Sequence, residues 1–157
     1  MGETSEPLER LRETYARLDA EVAVYQPRCD ASGRCCRFEE YGHTLFLSEL
    51  EAELLFEPGI PLDLPITRAN CPYQVERFCT ARERRPMGCR VYFCDPAFAE
   101  KQVELSEKYI RELKDLHVNL GRPWRYAPLH DFAATAPRTE LSRTVAGESP
   151  APLLELT

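Results

Sequence analysis

Seven cysteines, Cys29, Cys35, Cys36, Cys71, Cys79, Cys89 and Cys94, are confined to one stretch of a 157-residue chain, with none in the first 28 residues or the last 63. They sit among prolines, glycines and arginines instead of inside an apolar helical pattern. A stretch of this kind has few side chains with which to build a core, so its fold depends on what the thiols do. The odd count argues against a disulfide scaffold, as does the start MGETSEPLER, which has neither the basic nor the apolar segment of a secretion signal. A cytoplasmic protein using its thiols for metal or redox chemistry is the expectation.

Charge and hydropathy narrow the partners. Asp and Glu outnumber Lys and Arg by 26 to 20, a formal charge of -6 that repels nucleic acid and anionic membrane surfaces. No apolar run approaches the roughly 18 to 20 residues that span a bilayer. A protein partner of unknown identity is the remaining expectation. Apolar residues make up 43%, enough for one modest core, while 13 prolines imply many fixed extended stretches.

The flanks read as helices. Leu8, Leu11, Tyr15, Leu18, Val22 and Tyr25 recur at steps of three and four, one stripe of a helix over about 6 to 25 that packs inside the domain. Ser5 is its expected N-cap, and Pro27 biases Gln26 toward an extended conformation that stops it. Asp95 and Pro96 open a second helix, 96 to 120, ended by Gly121 and Pro123 and about 37 Å long. Phe98, Leu105, Tyr109, Leu113, Leu116 and Leu120 form its apolar face. The two helices are natural antiparallel partners.

Between them, YGHTLFLS reads as a strand entering a short helix, 49 to 56, opened by a capping box of Ser48 and Glu51 and burying Leu50 and Leu54. Pro58, Pro61 and Pro65 mark 58 to 70 as a crossing loop, and little regular structure is expected over 71 to 94. Trp124, Tyr126, Leu129 and Phe132 suit an aromatic strap folded over the core. The polar, proline-bearing sequence from 134 is expected to be disordered. The fold class is therefore α+β, small and loop-rich: a single domain over 1 to 133, a metal-binding core at about 28 to 95, two long helices framing it, short strands, one short helix and a tail over 134 to 157.

A buried metal or cluster needs thiolates converging from segments that the fold brings together. All seven cysteines are candidate ligands. Adjacent Cys35 and Cys36 point in opposite directions in an extended chain, so both are not expected on one tetrahedral ion. Cys71 beside Pro72, Cys79, and Cys89 between Gly88 and Arg90 lie in constrained turns, and these three plus one of the Cys35 and Cys36 pair are the expected primary site. Four thiolates on zinc or on an oxidised [4Fe-4S] cluster carry a net charge of about -2, which burial makes costly without nearby cations. Arg85 and Arg90 are the expected donors to sulfur; Arg82 and Arg84 read equally well as a solvated face. His43, near the first group, is a weaker candidate, while His117 and His130 read as partly buried surface histidines.

The string CDASGRCC, then CPY, then C-x5-RPMGCR-x3-C resembles the YkgJ-type cysteine-cluster family, a zinc- or iron-chelating domain. The match covers about 28 to 95. Ser32 stands where the family usually has a further cysteine, and Ala81-Arg82 replaces its usual Ile-Tyr. The resemblance implies metal or iron-sulfur binding and includes a relative fused to flagellin lysine methylation, but no settled reaction. No serine-histidine-aspartate set, phosphate loop or glycine-rich nucleotide motif is present, so a stand-alone enzyme is not expected. The leading expectation is an iron-sulfur cluster, [4Fe-4S], in an electron-transfer, redox-sensing or accessory role. The alternative is a zinc-stabilised interaction protein, and a subunit of a protein-modifying system comes third.

Overall fold

A computed structural model describes residues 2–27, 44–64, 66–68, 70–75, 78–93 and 95–139. Helix α1, Gly2–Tyr25, begins three residues before the expected cap at Ser5. Pro7 lies inside it, where its missing N–H releases only the Glu3 carbonyl near the helix end. The stop also differs from expectation. Gln26 is left-handed, φ 47°, a conformation that closes helices at this position, with Pro27 directly after it.

Strand β1, Phe46–Ser48, leads into α2, Glu49–Leu55, through the full capping box: Glu51 N donates to Ser48 Oγ at 3.3 Å and Ser48 N to Glu51 Oε1 at 2.9 Å. Residues 58 to 70 are not wholly loop, since β2, Ile60–Pro61, pairs in parallel with β6, Arg138–Thr139. The cysteine-rich stretch is more regular than its prolines imply. It holds an antiparallel hairpin of β3, Gln74–Val75, and β4, Phe78–Cys79, then a 3-10 turn at Arg82–Arg84 and the short helix α3, Met87–Val91. The expected second long helix starts with a 3-10 turn, Pro96–Phe98, capped by Asp95, before α4, Ala99–Asn119. Gly121, φ 68°, and the bond from Arg122 N to the His117 carbonyl close it.

Helices α1 and α4 run antiparallel, as the stripes require. Arg17 pairs with Glu112 at 2.5 Å, Glu21 accepts from Lys108 at 2.7 Å, and the Tyr25 and Phe98 rings meet at 6.1 Å. The aromatic strap is built of regular elements: β5, Tyr126–Pro128, pairs antiparallel with β1, and α5, Leu129–Ala133, buries Leu129 and Phe132. Order continues past 134, where Arg138 Nη2 donates to the carbonyls of Pro61, Leu62 and Leu64; residues 140–157 lie outside the described ones. No helix among the described residues is long and apolar enough to cross a membrane.

Two hydrophobic clusters replace the single core expected. One gathers Leu11, Tyr15 and Leu18 of α1, Leu105, Tyr109 and Leu113 of α4, with Leu50, Leu54, Met87 and Val91. The other gathers Leu45, Leu47, Ala52, Leu55, Ile60, Tyr73, Leu129 and Phe132 with Cys71 and Cys89. Helices α2 and α3 serve both. At 100° per residue, Met87 and Val91 share one side of α3 while Cys89 lies nearly opposite, and Leu50 and Leu54 divide in the same way from Ala52 and Leu55.

Gly59 and Gly121 both have positive φ, but a Cβ on Gly59 would run into Thr139 and the Pro137 carbonyl, whereas Gly121 faces open space. Gly121→Ala is expected to cost about 1 kcal/mol from backbone strain alone. Gly59→Ala should cost clearly more, about 2 kcal/mol or above, because the β2 and β6 contact must also open. Urea midpoints of the two variants check the order.

Candidate metal centre

Of the seven cysteines, Cys71, Cys79 and Cys89 are described; Cys29, Cys35, Cys36 and Cys94 lie outside the described residues, as does His43. Cys71 and Cys89 are each 8% exposed and Cys79 is half-buried against the same cluster. The hairpin sets the first two. Gln74 pairs with Cys79, and the next rung is Thr80 N to the Tyr73 carbonyl at 2.9 Å, so 71–73 and 79–81 lie at the same end of the ribbon. At that end each sulfur takes a backbone N–H from two residues on: Tyr73 N donates to Cys71 Sγ at 3.5 Å and Ala81 N to Cys79 Sγ at 3.4 Å. Each of these bonds fixes the orientation of a sulfur relative to the end of the ribbon.

Cys89 departs from expectation in being on a helix, α3, and not in a constrained turn. Among the described residues no three Cys, His, Asp or Glu side chains come together as a metal-holding group. The expected primary site, Cys71, Cys79 and Cys89 with one of the Cys35 and Cys36 pair, includes a residue outside the described ones. A centre that includes any of them draws on cysteines outside the described residues.

The arginines play another part. Arg84 Nε donates to the Leu55 carbonyl at 3.0 Å with its guanidinium over the Tyr73 ring, and Arg85 Nε donates to the Arg82 carbonyl. Buried Arg90 donates from Nε to the Arg85 carbonyl, from Nη2 to the Glu83 carbonyl and from Nη1 to Asp19 at 2.7 Å, and stacks 4.0 Å over Tyr15. Among the described residues these bonds tie the cysteine-bearing turns to α1 and α2, while Cys71 and Cys79 each accept from a backbone amide.

Glu51 was legible in sequence only as a capping residue. It is 1% exposed, and besides Ser48 N it accepts from Tyr15 Oη at 2.9 Å and Met87 N at 2.6 Å. One carboxylate thus joins α1, the start of α2 and the first turn of α3, two residues before Cys89. Carboxylates belong at helix N-termini, and here two converge. His117, expected near the surface, is fully buried: Nδ1 donates to the Leu113 carbonyl at 2.9 Å, Nε2 accepts from Leu50 N at 3.3 Å, and Trp124 packs edge-on. It satisfies another amide at the start of α2. Its only sequence signal is a histidine inside the α4 apolar stripe.

No family model, curated protein or solved structure matches the chain.

Burial raises the Glu51 carboxyl above its ordinary value, against the pull of the bonds from Met87, Ser48 and Tyr15. The folded chain then holds that proton more tightly than the unfolded one. Its stability contribution is full below the ordinary value of 4.5 and is lost as pH rises through the raised value. Glu51→Gln, which cannot accept from all three donors, is expected to cost about 1 to 3 kcal/mol. The advantage of wild type over Glu51→Gln should be largest in acid and shrink toward neutral pH, read from urea midpoints; an advantage that grows with pH would contradict this.

Proposed function

We propose that this chain is a cysteine-ligated metal protein whose centre is an iron-sulfur cluster, [4Fe-4S], serving in electron transfer, redox sensing or as an accessory to a larger system. The observation that carries the reading is the pair of amide-to-sulfur hydrogen bonds at Cys71 and Cys79, at one end of one hairpin. Sulfur atoms of inert core cysteines have no need of such donors, whereas bonds of this kind hold thiolates and set the potential of clusters they ligate. Cys71 and Cys79 would hold the group together with cysteines from Cys29, Cys35, Cys36, Cys89 and Cys94. When bound, the cluster would supply one-electron chemistry. The chain's own residues orient the sulfurs, exclude water from Cys71 and Cys89, and brace α3 through Glu51 and Arg90.

The test is purification without oxygen, a visible spectrum and assay of iron, zinc and sulfide. The expected result is a brown protein with broad absorption near roughly 400 nm and acid-labile sulfide. Stoichiometric zinc without iron or sulfide overturns the cluster. Cys71→Ser and Cys79→Ser should each lower metal per chain more than Cys29→Ser, whose loop already lacks a thiol at Ser32.

A further inference from the structure

A cavity of about 200 Å³ opens between β1, α3 and α4, with Cys89 on its lining. In a chain with 29% charged residues, the cavity's described lining contains no Asp, Glu, Lys, Arg or His. A phosphate or carboxylate would find no counter-charge there. One end is closed tightly, where Gly88 approaches Leu45 so nearly that a Cβ would lie 2.8 Å from Leu45 Cδ1. Part of the wall is aromatic. Phe46 and Tyr126 stack at 5.8 Å and 22°, Trp124 continues the stack on Tyr126 at 5.4 Å and 10°, and Phe46 is left 42% exposed.

The polar groups are uncharged. Thr44, Tyr92, Ser106 and Tyr126 bring hydroxyls to the lining beside the Cys89 thiol, and among the described residues the side chains of Thr44, Ser106 and Tyr126 make no hydrogen bond. Burial and the nearby Glu51 push Tyr126 up to about 12, so it remains a protonated donor at neutral pH. For scale, an apolar cavity of about 150 Å³ takes benzene, so this one has room for a single substituted ring.

We propose that this cavity binds a small uncharged molecule with one aromatic ring and a hydrogen-bonding substituent, of the phenol class. Its ring lies against the Phe46 and Tyr126 wall and Ile110, and its polar substituent meets the hydroxyls of Ser106, Thr44 or Tyr126. The inference goes beyond the metal reading and stands apart from it, because binding is decided by the cavity whichever metal the thiols hold. If both are correct, the ligand sits beside Cys89, a candidate thiol of the centre.

The chain carries its own reporter. Trp124 is the only tryptophan and stacks on the wall residue Tyr126. The intact, metal-loaded protein is titrated with phenol, benzoate, cyclohexanol and N-acetyltyrosinamide, following Trp124 fluorescence excited on its red edge and, in parallel, saturation-transfer NMR of the ligand protons. The expected result is saturable phenol binding, at least about tenfold tighter than benzoate, which adds a charge, and than cyclohexanol, which lacks the π face. Ile110→Phe and Ser106→Leu each fill the cavity and should weaken phenol by about tenfold or more without changing the tryptophan count. Two substitutions on separate turns of α4 keep the test open should one fail to fold. No saturable phenol binding by either readout, benzoate or cyclohexanol binding as well as phenol, or phenol binding that a folded variant leaves unchanged, overturns the proposal. N-acetyltyrosinamide binding more tightly than phenol also overturns it, since the cavity would then take a side chain of a protein partner.

Discussion

The carboxylate of Glu51 is the constraint on which the arrangement of this chain turns. Removing an ionisable group from water is costly, and three hydrogen bonds offset that cost only if their donors are fixed. The donors come from α1, from the cap of α2 and from the first turn of α3. Two of these elements are short: α2 has 7 residues and α3 has 5, well under the length at which isolated helices persist. Their shared acceptor fixes them relative to one another, and Arg90 repeats the tie by linking α3 to Asp19 on α1.

From this follows the division of the interior into two clusters. The α1 and α4 pair is an ordinary amphipathic frame that buries leucines and tyrosines, and it asks nothing of the cysteines. The second cluster is built from short strands, proline-bearing turns and α5, with Cys71 and Cys89 among its buried members. Because α2 and α3 present opposite sides to both, a shift in the helical frame moves the Cys89 backbone directly. The hairpin sulfurs are coupled less tightly, through the Arg84 bond to the Leu55 carbonyl and the Tyr73 hydroxyl bond to the Gly59 carbonyl. The geometry therefore assigns Cys89 to the frame and Cys71 and Cys79 to the hairpin.

Elements governed by local rules were legible in the sequence. The stripe of α1, the capping box at Ser48 and the long face of α4 depend on residues three or four apart, and each stands where the spacing puts it. The hairpin and α3 were missed because the prolines of that region say only where helices cannot continue, while Gln74 to Cys79 pairing and the Met87 amide's partner at Glu51 are tertiary facts. Parallel pairing of Ile60 with Arg138 joins positions about half the chain apart and leaves no local trace. In the candidate centre, spacing singled out the cysteines as candidates, of which Cys71, Cys79 and Cys89 are described. The source of the hydrogen bonds to Cys71 and Cys79 was not legible: charge proximity pointed to arginines, but a planar guanidinium here finds stronger acceptors in carbonyls and Asp19, and backbone amides two residues on are left to serve these sulfurs.

X-ray absorption at the iron edge of anaerobically prepared protein tests the central claim, that the thiols of this scaffold converge on one cluster. The account predicts an all-sulfur first shell around iron with an iron-to-iron scattering peak behind it. A first shell of nitrogen and oxygen, or sulfur around a solitary zinc with no iron in the sample, would contradict it.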